Sequence, residues 1–304
     1  MTTVRTFRFG IVTAGARSGE EWVARAQRAE ALGYSTLLMP DRIAPLLSSI
    51  PALAVAAAAT RTLRVGTFVI ASGLRNPVLL AHEVATLDFL SGGRFELGLG
   101  AGVGEDDYRQ AGIPFERPGP RVDRLAETLD IVKAMLSGDE VSRQGAHYTV
   151  DAARGFPPPI QQPRPPILVA GGGKRLLSLA AREADIVALG VGATAREEVL
   201  REKVEWVRQE AGDRFPALEL SLNLIAALGD APPDARVRGR VHAVFHVELE
   251  DLARSGSPFV VSGTVEEWCQ QLFERRERLG VSYVTISDDQ MEAFAPVVEQ
   301  LTGK

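Results

Sequence analysis

The chain has 304 residues, 45% of them hydrophobic and 24% charged, with a formal net charge of −5 and a single cysteine. This is the balance of a globular protein with a sizeable core, and a net negative chain with no basic cluster excludes nucleic acid as an expected partner. No apolar run approaches the ~18 residues that cross a bilayer, Cys269 has no second cysteine for a disulfide and no neighbouring ligand for a metal, and Arg5 and Arg8 interrupt the only apolar residues of the start, so no membrane and a cytoplasmic location are expected.

Phe7 to Val12 reads as a strand ending in a small, polar loop, after which Ser18 and Glu21 form a capping-box pattern for a helix striped by Trp22, Ala26, Ala29 and Leu32. Thr36 to Met39 is a second strand that runs into Pro40-Asp41-Arg42. Pro51 to Thr60 is an alanine-rich helix without a polar face, expected to pack against neighbours or another subunit. A strand over Arg64 to Ile70 and the loop Ala71 to Pro77 precede a helix carrying Leu80, Val84, Leu87 and Leu90. Arg94 to Leu99 is the next strand, followed by a long loop from Gly102 to Gly119 and an amphipathic helix over Pro120 to Ser137.

Gly138 to Pro166, with Pro157-Pro158-Pro159 and Pro163 to Pro166, breaks this rhythm and reads as a hairpin-like insertion with a semi-rigid linker. Strands then recur at Ile167 to Val169, Asp185 to Leu189, Leu218 to Ala226 and Tyr283 to Ile286. Between and after them lie helices over Lys174 to Glu183, Ala195 to Ala211, a charged stretch from about Asp234 to Ala253, Thr264 to Leu279 and Gln290 to Leu301. Eight strands alternating with helices predict one α/β domain over residues 1–304, a (β/α)8 TIM barrel with 138–166 inserted between its fourth helix and fifth strand. A doubly wound open sheet is the competing architecture. The turn after the first strand carries no dinucleotide fingerprint, and polar or glycine-rich loops follow the first five strands, which suits an active site at the C-terminal face of a barrel.

Two glycine-rich strand ends and one acid–base dipeptide carry the candidate chemistry. In Gly93 to Gly104, Gly98, Gly100, Gly102 and Gly104 remove side chains either where a flat ring approaches the backbone or where barrel strands crowd each other. Ala170-Gly171-Gly172-Gly173 joins a strand to a helix and reads either as an anion site, with Lys174 and Arg175 beside it, or as a plain turn. Asp41 and Arg42 are the candidate catalytic residues. They suit hydrogen bonding to a substrate or ring N–H and the holding of an anion, or else they form a rim ion pair. His82, His147, His242 and His246 read as structural, and no metal site is expected: His242 and His246 are four apart but lack a third ligand.

Together MPDR at Met39–Arg42, RVGTFVIASGLRNP at Arg64–Pro77, LSGGRFELGLGAG at Leu90–Gly102, ILVAGGG at Ile167–Gly173 and SGTVEEW at Ser262–Trp268 resemble the bacterial luciferase-like monooxygenase superfamily, and within it the coenzyme F420-dependent oxidoreductases. The resemblance implies a (β/α)8 barrel binding F420, or alternatively FMN, at the strand C-termini. Asp41 would face the ring. Phe68-Val69 would form the family's non-prolyl cis peptide and, with Ala71, bind the cofactor, Ala101-Gly102 would approach the ring's polar edge, and Ala170, Gly171, Gly172 and Gly173 would hold the phosphate. It also implies a homodimer and a small-molecule substrate. Two positions depart from the sugar-phosphate dehydrogenases of that branch, whose catalytic histidine is replaced by Arg42 and whose glutamate is replaced by Val103. Arg42 stays protonated and cannot abstract a proton. The implied activity is hydride transfer between the deazaflavin C5 and an organic substrate. The alternatives are an FMN-dependent monooxygenase using O₂ and a cofactor-binding protein without catalysis.

Overall fold

The computed structural model describes residues 5–43, 46–229 and 234–304. In chain order its elements are β1 (Arg8–Val12), α1 (Gly19–Ala31), β2 (Thr36–Met39), α2 (Ser49–Ala59), β3 (Arg64–Thr67, resumed at Ile70–Ala71), α3 (Pro77–Leu90), β4 (Phe95–Gly100), α4 (Glu105–Ala111) and α5 (Pro118–Leu136). They continue with β5 (Ile167–Gly171), α6 (Lys174–Glu183), β6 (Ile186–Leu189), α7 (Glu197–Ala211), β7 (Glu219–Leu224), α8 (Ala235–Phe245), α9 (Leu249–Arg254), α10 (Val265–Leu279), β8 (Val281–Ser287) and α11 (Met291–Leu301). The strand order is β3-β2-β1-β8-β7-β6-β5-β4, and β3 pairs again with β4, so the sheet closes on itself as a (β/α)8 TIM barrel. All eight strands lie where the apolar runs place them. Strands β2, β4 and β6 are buried along their whole length, because helices cover one face and barrel side chains the other.

Contacts group the elements into two compact units. The first comprises residues 1–13, 28–37 and 172–304. Its β8 lies between β1 and β7, both parallel to it. Arg8 on β1 donates to both carboxylate oxygens of Glu219 on β7, at 2.8 and 2.6 Å, and stacks over the Tyr283 ring at 3.6 Å. Helix α10 opens on a complete capping box: Thr264 accepts from Glu267 N, and Glu267 accepts from Thr264 N. The charged stretch expected as one helix is two, because His246 adopts a left-handed φ of 56° that ends α8 before α9 begins. A short parallel pair, Ala226–Leu228 with Val260–Ser262, has no signature in the sequence pattern.

The second unit comprises residues 14–27 and 38–171. Arg94, at the entry to β4, donates to the carbonyls of Ser91, Leu63 and Ala57, and so binds a helix end, the approach to β3 and α2 together. The 138–166 segment forms an antiparallel hairpin, Val141–Gln144 with Thr149–Ala153, as its composition suggested. Its proline-rich continuation is pinned by the fully buried Asp88, whose carboxylate accepts from Ile160 N, Gln161 N and Gln161 Nε2 at 2.6–3.1 Å. Helix α2 buries Ala52, Leu53, Ala56 and Ala57 within this unit and exposes Pro51, Val55 and Ala58.

Candidate active site

The second unit brings the ends of β2, β3, β4 and β5 side by side. The distinctive feature is a bulge in β3. Gly66 faces Glu96 and Ile70 faces Leu99, so four steps along β3 pass against three along β4. Phe68 and Val69 occupy the bulge, joined by a cis peptide bond at the position the family resemblance implies. Their backbone is still held: Phe68 N donates to Met39 O at 2.7 Å, while the Thr67 hydroxyl donates to Gly98 O at 2.9 Å and accepts from Gly98 N at 2.8 Å. No polar group of Gly98 is left bare by the interrupted ladder. Phe68, Val69 and Ala71 are half-buried although Thr67, Ile70 and Ser72 around them are closed to solvent, so the bulge leaves three apolar residues partly open to solvent at this strand end.

The same bulge explains two glycines of β4. A Cβ on Gly98 would overlap the Thr67 carbonyl oxygen, and one on Gly100 would lie 2.8 Å from Val69 Cγ2. Strand crowding, not a ring's approach, accounts for these two positions. Ala101 and Gly102 follow, both half-buried. Gly102 has a φ of 82°, and its Cβ position is filled by the Tyr108 hydroxyl. Its carbonyl accepts from Arg121 Nη1, and Arg121 in turn lies over the Phe115 ring at 4.2 Å. Burial raises the Tyr108 phenol above its ordinary pKa despite the charges of Arg121 and Arg124, so this buried hydroxyl remains protonated at neutral pH.

Asp41 and Arg42 do not pair with each other. Asp41 Oδ1 accepts from Ser49 Oγ at 2.7 Å and from Arg75 Nη2 at 2.8 Å, and Arg75 Nε lies 3.3 Å from Oδ2. With its side chain only 9% exposed, Asp41 is a held carboxylate whose lone pairs are largely spoken for. Arg42 pairs through Nε with Asp107, which also accepts from Ile43 N at 3.1 Å. Asp41, Arg75 and Arg42 border a cavity of about 430 Å³ whose apolar lining includes Ile43, Leu74 and Ala111. Val103, which departs from the glutamate of the sugar-phosphate dehydrogenases, is 91% exposed.

The second glycine run begins with half-buried Ala170 and Gly171 at the end of β5. Gly172 and Gly173 belong to the other unit. Gly173 is the N-cap of α6, has no side-chain cap bond, and meets nothing within 4 Å of its Cβ position. Gly173 therefore offers no side chain of its own to cap the first N–H groups of α6. Lys203 on α7 donates to the carbonyls of Gly172 at 2.6 Å and Gly190 at 2.9 Å. Lys174, adjacent in sequence, lies instead over the Trp206 ring, at 5.8 Å.

Arg75, Asp107, Tyr108, Arg121 and Lys203 were not singled out by sequence reasoning. Arg75 and Asp107 did stand inside the stretches marked as loops, and a charged residue in a loop at a barrel strand end is itself a signal. Lys203 had none, being one more charge on an amphipathic helix. Helix α4 was hidden in the Gly102–Gly119 loop by its run Glu105-Asp106-Asp107, which suits a helix N-terminus as well as a loop. Among the described residues no group of three or more His, Cys, Asp or Glu is placed to hold a metal. His242 Nδ1 lies 2.9 Å from Glu248 Oε1.

Comparison with known proteins agrees with this architecture. An uncharacterised protein of Mycobacterium tuberculosis is 31% identical over 218 residues, covering 64% of this chain and 74% of that protein. The coenzyme F420-dependent tetrahydromethanopterin reductase of Methanopyrus kandleri superposes with a TM-score of 0.80 at 18% identity, over 98% of this chain and 99% of that one. A monooxygenase of Streptomyces bottropensis superposes with a TM-score of 0.76 at 20% identity, over 96% of each chain. Residues 2–292 match the family described as luciferase-like monooxygenase, and the chain belongs to that family.

Proposed function

We propose that this protein is an F420-dependent oxidoreductase acting on a small organic substrate. The observation that carries the reading is the β3 bulge, which offers Phe68, Val69 and Ala71 as a half-buried floor beside the small residues Ala101, Gly102, Ala170 and Gly171. A flat, mostly apolar ring needs such a floor, and a phosphate needs the unencumbered backbone N–H groups that follow it in the chain at Gly171–Gly173. The residues present therefore fit a flavin or deazaflavin. When bound, the deazaflavin supplies or accepts the hydride at C5. Asp41, held by Arg75 and Ser49, is oriented to accept from a donor of ring or substrate. Arg42 supplies positive charge at the cavity it borders with Asp41.

F420 is favoured over FMN because it continues beyond its phosphate into an anionic tail. The turn supports such a ligand: Gly173, Lys174 and Arg175 are all exposed, leaving a cationic and open exit. The reductase of Methanopyrus kandleri, similar in fold, is F420-dependent. The second reading, an FMN-dependent monooxygenase, is supported by the family's description and by the fold of the Streptomyces bottropensis monooxygenase. Titration of both cofactors by fluorescence at low and high salt tests the choice. Tighter F420 binding that weakens with salt is expected; tighter FMN binding, salt-independent F420 binding and O₂ consumption on turnover would favour the second reading.

The protein is also proposed to be a cytoplasmic homodimer. Among the described residues no helix is long and apolar enough to cross a membrane. Val55 on α2 and Leu79, Phe89 and Leu90 on α3, 47–70% exposed, are the apolar residues that a second copy would cover. Sedimentation at micromolar concentration should give twice the mass of one chain, and a single-chain mass would refute the dimer.

A further inference from the structure

We infer that Lys203 is the residue that positions the Gly171–Gly173 turn and supplies its fixed positive charge for a ligand phosphate, an inference that rests on reading this turn as the anion end of the site. Lys203 reaches from α7 and donates to the carbonyls of Gly172 and Gly190, clasping the exits of β5 and β6. With these carbonyl oxygens turned toward the ammonium, the peptide N–H groups that follow Gly172 are left free of it. Substitution at Gly172 has no room for this arrangement, since a Cβ there would overlap Gly190 O and stand 2.9 Å from Lys203 Nζ.

Charge makes the second half of the case. Lys203 is half-buried, makes no ion pair among the described residues, and uses two of its three N–H groups. Burial lowers its pKa, with Glu202 as the one opposing influence. A partly desolvated cation satisfied by carbonyl dipoles alone has no formal counter-charge, and buried charges are ordinarily paired. The uncapped N-terminus of α6 adds partial positive charge next to the same glycines. An anion at the turn would complete both. By contrast, Lys174 and Arg175 are exposed, where salt and water screen them.

The test compares ligands with and without the phosphate on the full chain: FMN against riboflavin, and F420 against its phosphate-free deazaflavin core. Dissociation constants are measured by fluorescence for the native protein, Lys203→Gln and Lys203→Arg, with thermal melts alongside. Lys203→Gln keeps an N–H donor for the carbonyls and removes the charge. It should lower the affinity advantage of the phosphate-bearing member by about tenfold, as expected for loss of a unit charge that acts across the Gly172–Gly173 peptide at a partly buried site. Lys203→Arg should restore most of that advantage. If Lys203→Gln weakens both members equally, or neither, Lys203 is a structural clasp and the inference fails while the reading of the turn stands. If the native protein shows no phosphate advantage in either pair, the reading of the turn fails and Lys203 falls with it. Should Lys203→Gln not fold, Lys203→Met and Lys203→Arg give the same contrast of charge absent and charge retained.

Discussion

The two glycine-rich strand ends look alike in sequence and are used in opposite ways. In and just after β4, the glycines are filled by the protein itself: the Thr67 carbonyl at Gly98, Val69 at Gly100 and the Tyr108 hydroxyl at Gly102. After β5, Gly173 opens on empty space, and Gly172 is crowded only on its far side, by Gly190 and Lys203. The first run lets a bulged strand press against its neighbour; the second leaves backbone donors uncovered at a helix start. Glycine density marks close approach, and only the structure says whether the approaching group is the protein's own or a ligand's.

This contrast should separate stability from binding when each glycine gains a methyl group. Gly98→Ala is expected to have the largest effect: backbone must move to relieve the overlap with Thr67 O, costing upwards of about 3 kcal/mol, the high end for overpacking, and soluble yield or urea midpoint should fall accordingly. Gly102→Ala combines strain at a φ of 82° with the Tyr108 overlap and should cost about 2 kcal/mol. The double variant with Tyr108→Phe should recover part of that loss but not the backbone part, so full recovery in a thermal melt would contradict the strain.

Gly100→Ala should cost about 1–2 kcal/mol, and here a double-mutant cycle with Val69→Ala should show coupling of about 1 kcal/mol, because the only close side chain is removed. Additive losses would mean that Val69 does not occupy the Gly100 space. Gly173→Ala is the smallest in stability, about 0.5 kcal/mol for a poorer N-cap, since its φ of −82° suits any residue and its Cβ position is open. It should nevertheless weaken phosphate-bearing ligands more than phosphate-free ones. Equal stability losses at Gly98 and Gly173 would erase the distinction between the two runs.

Local pattern carried much of the fold. Each strand announces itself by a short apolar run, and Ser18 and Thr264 cap their helices as their spacing to Glu21 and Glu267 requires. Such signals reach only a few residues along the chain. The points that escaped were those decided by distant partners or by a single backbone angle: α4 inside a presumed loop, the break at His246, and the 226–228 strand whose mate lies at 260–262. The candidate site divides in the same way. Its positions at the strand ends were legible, whereas the partners of Asp41 and Arg42 were not, for Arg75 and Asp107 stand 34 and 65 residues away in chain terms and no spacing rule connects them.

By itself, the sequence determined the alternation of strands and helices and the family motifs at the strand ends, because periodicity and turn chemistry act over one or two turns of chain. Tertiary structure alone decided which charges meet. Asp41 joins Arg75 and not its neighbour Arg42, and Lys203, unremarkable on its helix, becomes the cation at the glycine turn. The physical reason is that an ion pair or carbonyl clasp is selected by distance and desolvation at a strand end, and those are set only when separate βα units are packed side by side.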